Sequence, residues 1–133
     1  MTPAQMVGWS LNQATAITAI VSTRIYHGKR PDASITPCIN YFEMTTKRKN
    51  GFESATYSFN CRASTVGTAI QIARLVDDLF NGTSGTGIYG SMNGFEISRA
   101  SEVQMQSAIY ETTENIWNAP VDILFIYPMS SVS

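Results

Sequence analysis

Residues 20–44 read IVSTRIYHGKRPDASITPCINYFEM, and their order decides the fold. An apolar segment at helical spacing runs out at Val21, and an Arg24-Ile25-Tyr26 step follows. Residues 27–37 then read as an exposed loop, because Gly28, Pro31, Asp32 and Pro37 break regular structure. Pro37 opens a run rich in aromatic and β-branched residues, which predicts a strand from Ile39 to Thr46. Lys47-Arg48-Lys49-Asn50-Gly51 comes next and reads as a hairpin tip, since Asn and Gly both tolerate positive φ. The partner strand, Ala55 to Arg62, alternates. Ala55, Tyr57, Phe59 and Cys61 face one way; Thr56, Ser58, Asn60 and Arg62 face the other. That period predicts an antiparallel sheet with one face buried. The strand feeds directly into a helix, Ser64 to Phe80, capped by Ser64 or Thr65 and stopped by Asn81-Gly82. Its apolar stripe of Ala69, Ile72, Ala73, Val76, Leu79 and Phe80 is expected to cover the buried sheet face.

Outward from this centre the signals weaken. Thr2-Pro3-Ala4-Gln5 combines a cap, a proline at the first helical position and a capping-box glutamine. A short helix carrying Met6, Val7, Trp9 and Leu11 should follow, with Trp9 in the core. Asn12 should end it and cap a second short helix carrying Ala16, Ile17, Ile20 and Val21. Thr83 to Gly94 reads as a Gly/Ser-rich connection, with a brief strand at Ile88-Tyr89 and a turn at Asn93-Gly94. Phe95 to Gln106 alternates with an irregularity near Arg99 to Ser101, and Ser107 to Glu114 either continues it or turns back. Ile116 to Tyr127 is the last strand, interrupted by Asn118 and Pro120, and its apolar run Val121 to Tyr127 suits burial on both faces. The tail, Met129 to Ser133, is expected to be flexible. The fold class is α+β: one domain over 1–133, an antiparallel sheet with one long helix packed on a face, and short N-terminal helices.

At 133 residues and 44% hydrophobic content, the chain can bury a core without disulfides or a metal. No apolar run reaches the roughly 18 residues that a membrane span needs. The start, MTPAQMVGWS, carries no secretion signal pattern. Cys38 and Cys61 are too few for a disulfide scaffold. A bridge between neighbouring strands is geometrically conceivable, and two buried thiols fit better. Only 14% of residues are charged, against about 25% in an average soluble domain, while Ser, Thr, Asn and Gln supply 41 residues. Uncharged polar groups cost less to desolvate than ions, so the composition suits a surface covered in an assembly. The charges are also split. Residues 1–62 hold seven basic and three acidic groups, and residues 63–133 hold two basic and seven acidic. A molecule with one positive and one negative side favours head-to-tail contacts that close into rings.

Catalytic patterns are weak. His27 is the single histidine, in a loop, and no local context pairs it with Cys38 or Cys61 as a nucleophile. One His and two separated Cys offer no metal-ligand spacing. Gly82 to Gly87 lacks the Lys-Ser/Thr ending of a phosphate loop and leaves a helix instead of entering one. The chain is therefore read as non-enzymatic, without cofactor or metal.

The order of elements, from the apolar helix through the Arg24–Tyr26 step to the Pro37 strand, and from the alternating strand into the capped helix, resembles the tail completion (tail terminator) proteins of long-tailed bacteriophages. The resemblance spans most of the chain as a pattern of residue classes. It implies a virion protein, assembled in the host cytoplasm, whose subunits form a ring, commonly a hexamer. Such a ring would sit on the last ring of tail tube protein, meet a head-tail connector protein, and let genomic DNA cross its lumen without sequence-specific binding.

Exposed loop character, and not the resemblance, marks the candidate contact residues. They are Arg24, Tyr26, Lys29 and Arg30 in the first loop, and Lys47, Arg48, Lys49 and Asn50 at the hairpin. Tyr89 lies in the Gly-rich segment, and Asp77 and Asp78 stand at the helix C-terminus against the macrodipole. Two other readings stay open: a neck adaptor or head-closure protein, and a small nucleic-acid-binding protein using the basic hairpin. The net charge of −1 speaks against the latter.

Overall fold

A computed structural model describes residues 1–31, 35–81, 88 and 90–132. Tyr89, Asp32 and most of the Gly-rich connection lie outside the described residues.

Helix α1 (Pro3–Gln13) begins as its first residues dictate. The Gln5 N–H donates to Thr2 Oγ1 at 3.2 Å, and the Thr2 N–H donates to the Gln5 side chain at 2.9 Å. Met6, Val7 and Leu11 take its inward face, so Trp9 is left half-buried and does not join the core as expected. Asn12 does not cap α2 (Thr15–Val21). It lies inside α1, where its amide donates to the Gly8 carbonyl at 2.8 Å, and Ala14 opens α2 without a side-chain cap.

The main sheet is built from β1 (Ile25–His27), β2 (Cys38–Lys49), β3 (Phe52–Ala63), β6 (Arg99–Met105), β7 (Ile109–Glu111) and β8 (Ile116–Pro128). Its order is β1-β2-β3-β8-β6, with β7 pairing β8 beyond the end of β6. β4 (Gly90–Met92) and β5 (Phe95–Ile97) form a separate hairpin around Asn93-Gly94, which both hold positive φ. The α+β class stands, but the sheet is mixed, because β1 runs parallel to β2. Three residues are too few to carry a periodic signal, so this strand read as the start of a loop.

Three further expectations are corrected. β2 runs to Lys49, so the basic triplet belongs to the strand and only Asn50-Gly51 form the turn, at φ 53° and 81°. β8 is uninterrupted: Asn118 and Pro120 stay in register opposite Arg62 and Asn60. Pro120 is tolerated because its ring nitrogen faces the gap between β6 and β7, where its carbonyl accepts the Gln106 N–H at 3.1 Å. The irregularity of the Phe95–Gln106 stretch falls at Ser98 and at a bulge beside Val103, and the chain turns back at β7. Both faces of β8 are covered over its middle: Val121, Ile123, Phe125 and Tyr127 are fully buried on the inner face, Asn118, Pro120 and Asp122 are buried on the other, and only Leu124 and Ile126 there are half-buried. Beyond it, residues 129–131 form a 3-10 turn pinned by the Met129 N–H on the Gly51 carbonyl at 2.9 Å.

Helix α3 (Val66–Phe80), capped by Thr65 through the Thr68 N–H, lays Ala69, Ile72, Ala73, Val76 and Phe80 on β3 and β8. Phe80 stacks on Phe59 at 5.3 Å and meets the edge of Phe125 at 5.2 Å. Cys38 and Cys61 are both free and buried. They stand opposite Arg62 and Ile39 respectively, so their side chains leave the sheet on opposite faces.

Helix α1 meets the sheet at one tight point. Tyr41 donates to the Ala4 carbonyl at 3.1 Å, and a Cβ added at Gly8 would lie 2.5 Å from that hydroxyl. Gly8→Ala is therefore expected to destabilise the protein by about 1–2 kcal/mol, since the clash outweighs the helix-propensity gain of about 1 kcal/mol. Combined with Tyr41→Phe, the same change should become neutral or stabilising, which a double-mutant cycle of denaturant midpoints would reveal.

Candidate assembly interface

The helices cover one face of the sheet, here the inner face. The other, outer face carries Asn40, Asn60, Asn118, Ser58, Thr56 and Asp122, the polar half of the alternation. Its hydrogen bonds run across strands. Asn118 donates to Asn60 at 2.9 Å, Gln104 to Asp122 at 2.7 Å, and Arg62 to both Asn40 and Glu111. Asn118 Oδ1 and Asp122 Oδ1 are buried and have no hydrogen-bond partner.

The described candidate residues fall into five places. Arg24 has an internal task, since its guanidinium donates to the Pro37 carbonyl at 2.8 Å and to that of Ile20 at 3.4 Å, tying α2 to the start of β2. Tyr26 lies half-buried in β1, level with Asn40. Lys29 and Arg30 line a cleft of about 360 Å³ with Pro31, Asn40, Arg62, Glu111, Thr113 and Glu114, and Arg30 pairs with Glu114. Lys47, Arg48, Lys49 and Asn50 end β2, where eight consecutive strand residues from Phe42 to Lys49 are exposed. Asp77 and Asp78 occupy the last turn of α3 as expected.

Sequence reasoning missed Glu53, Arg62, Glu102 and Glu111. Glu53 is 6% exposed on the inner face, and Tyr127 and Arg48 both donate to it. The Tyr127 bond chiefly holds the Glu53 carboxyl below its ordinary range, with Arg48 adding to the effect against the opposing cost of burial. Asp77 is held above the ordinary range, first by desolvation and then by the charge of Asp78, although Asn81 donates to it. Glu102 is raised by desolvation and by Asp77. The Arg62–Glu111 ion pair at 2.8 Å joins residues 49 apart, which no local pattern reveals.

The first three strands and their connections carry Arg24, Lys29, Arg30, Lys47, Arg48, Lys49 and Arg62 beside Glu43 and Glu53. The strands beyond them and α3 hold Asp77, Asp78, Glu96, Glu102, Glu111, Glu114 and Asp122 beside Arg74 and Arg99. Arg30–Glu114, Arg48–Glu53 and Arg62–Glu111 neutralise part of this within the molecule. Among the described residues no three His, Cys, Asp or Glu side chains gather as a metal site, and no helix is long and apolar enough to cross a membrane.

No protein-family model matches the chain, and no curated protein sequence matches it. Among solved structures, a chain in the virion of native gene transfer agent (GTA) particle has the same fold. Its TM-score is 0.65 at 12% identity, covering 96% of this chain and 95% of that one.

Proposed function

We propose that this protein is a structural virion component whose subunits form a ring that caps a phage-type tail tube and joins it to the head connector. The observation carrying this reading is the fold likeness, over nearly the full length of both chains, to a chain of a gene transfer agent virion. The element order resembling tail terminators and the low charge content support it. The mechanism is geometric. Neighbours bury uncharged polar surface around an axis, one ring face matches the tube and the other does not, and growth stops because no further tube site is offered. Genomic DNA would cross the lumen, and no bond-making chemistry or cofactor is involved.

Multi-angle light scattering on the purified protein tests the reading. A discrete ring, commonly a hexamer, is expected. A monomer that binds DNA with a steep salt dependence would favour the nucleic-acid reading instead. Replacing Lys47 and Lys49 together by serine, with Arg48 kept on Glu53, is expected to leave the melting temperature nearly unchanged and to reduce the yield of finished particles at least several-fold. Unchanged yields would count against that strand end as a contact.

A further inference from the structure

Among the described residues, β2 past Tyr41 and β6 each present one unpaired backbone side. Among the described residues nothing pairs with β2 beyond Tyr41 on the side away from β3, although the strand runs on to Lys49. Among the described residues, β6 pairs only with β8. The Ile39 N–H donates to the Arg24 carbonyl, and the Tyr41 carbonyl accepts the Gly28 N–H. Residues of β2 whose side chains face the helices therefore turn their backbone groups away from β3. Continued past the bulge at Met44, this alternation points the backbone groups of Glu43, Thr46 and Arg48 outward.

Strand direction says what covers these edges, and the charges restrict the register. The open length of β2 carries Glu43 and then Lys47, Arg48 and Lys49, whereas β6 carries Arg99 and Glu102, the latter near Asp77. β8 runs in the direction of β2, and β6 runs opposite to both. The β6 of another copy, laid beside β2 in the same orientation, is thus antiparallel to it and continues the pattern of the sheet. The sheet register fixes where the two edges stand relative to each other within one subunit. The row through Glu43 passes Tyr57 and Ile123 to reach Glu102.

We propose that the free edge of β2, Thr46 to Lys49, pairs with the β6 edge of a second copy of this chain, so that the antiparallel sheet runs unbroken from subunit to subunit. The inference rests on the ring reading above and names its junction. Level pairing would set Glu43 beside Glu102 and Lys47 beside Arg99, so the strands must slide. A slide of four rows brings Arg48 opposite Glu102. Across four strands that slide gives a strand tilt of about 35°, taking ~3.4 Å per residue and ~4.8 Å per strand, within the range of closed barrels. Its sense agrees with right-handed strand twist when α3 faces outward, which turns Asn40, Ser58 and Asn60 toward the lumen.

Proline at an outward-facing edge position removes a donor that the isolated subunit does not use, so Thr46→Pro should fold. Thr46→Ala keeps the donor and serves as control. Light scattering with thermal melts on the full chain is expected to find rings for wild type and T46A and a folded monomer for T46P. A T46P ring like that of wild type overturns the junction and leaves the ring reading intact. Loss of the ring in T46A as well assigns the effect to the side chain and also overturns it. A wild type that stays monomeric at every concentration overturns both. Should T46P fail to fold, amide exchange on wild type decides: the Thr46 and Arg48 amides slow on assembly, and unchanged exchange refutes the pairing.

Discussion

Phe80→Ala is expected to lower the unfolding free energy by about 3–5 kcal/mol, as measured by urea or guanidinium denaturation. Phe80 is fully buried at the end of α3, where its ring touches Phe59 of β3 and Phe125 of β8. Truncation removes the buried apolar surface and both ring contacts, and leaves a cavity between rigid strands that cannot close around it. A domain of this size has a total stability of about 5–15 kcal/mol, so this one change should remove about a fifth of it or more. A loss under about 1 kcal/mol would mean that α3 is not anchored at this point.

Tyr127→Phe is expected to cost about 1.5–3 kcal/mol at neutral pH, because a buried carboxylate loses its strongest donor while the ring still packs. Tyr127 is fully buried against Phe95 at 5.1 Å, and its hydroxyl reaches Glu53 across the two central strands. The pH dependence follows from the two shifts. The Glu53 carboxyl is depressed in the folded state, so the unfolded chain binds its proton more readily. Its contribution is present above the ordinary carboxylate value of about 4.3 and is lost as pH falls through the lower folded value. Burial and the bond to Glu53 raise the Tyr127 hydroxyl above its ordinary value of about 10. Its contribution is present below that value and is lost as pH rises beyond it. Wild type should therefore lose stability at both extremes, and Tyr127→Phe should flatten both limbs. Identical pH profiles for the two proteins would contradict the assignment.

These two positions also mark what a sequence reveals. Phe80 belonged to an apolar stripe at helical spacing, and its burial followed from local periodicity alone. The capping box at Thr2, the Asn50-Gly51 turn and the alternation of β3 were legible for the same reason, since each involves residues a few positions apart. Glu53 was not legible. It stands on the inner face in line with Ala55 and Tyr57, but nothing nearby in sequence announces the Tyr127 hydroxyl 74 residues later. The parallel pairing of β1, the ion pair of Arg62 with Glu111 and the tolerance of Pro120 in a central strand are set by long-range register. The basic triplet was recognised for its charge, but its place in an open strand edge and not at a loop tip became clear only from the length of β2. That difference changes its meaning, because an edge offers backbone pairing as well as charge.

Subunits that assemble by shape around an axis between head and tail must be found there in the finished particle. Electron microscopy of purified particles carrying a gold-labelled form of this protein locates them. Label confined to the collar between capsid and tail, arranged as a single ring, is the expected result. Particles with normal collars and no label there would contradict it.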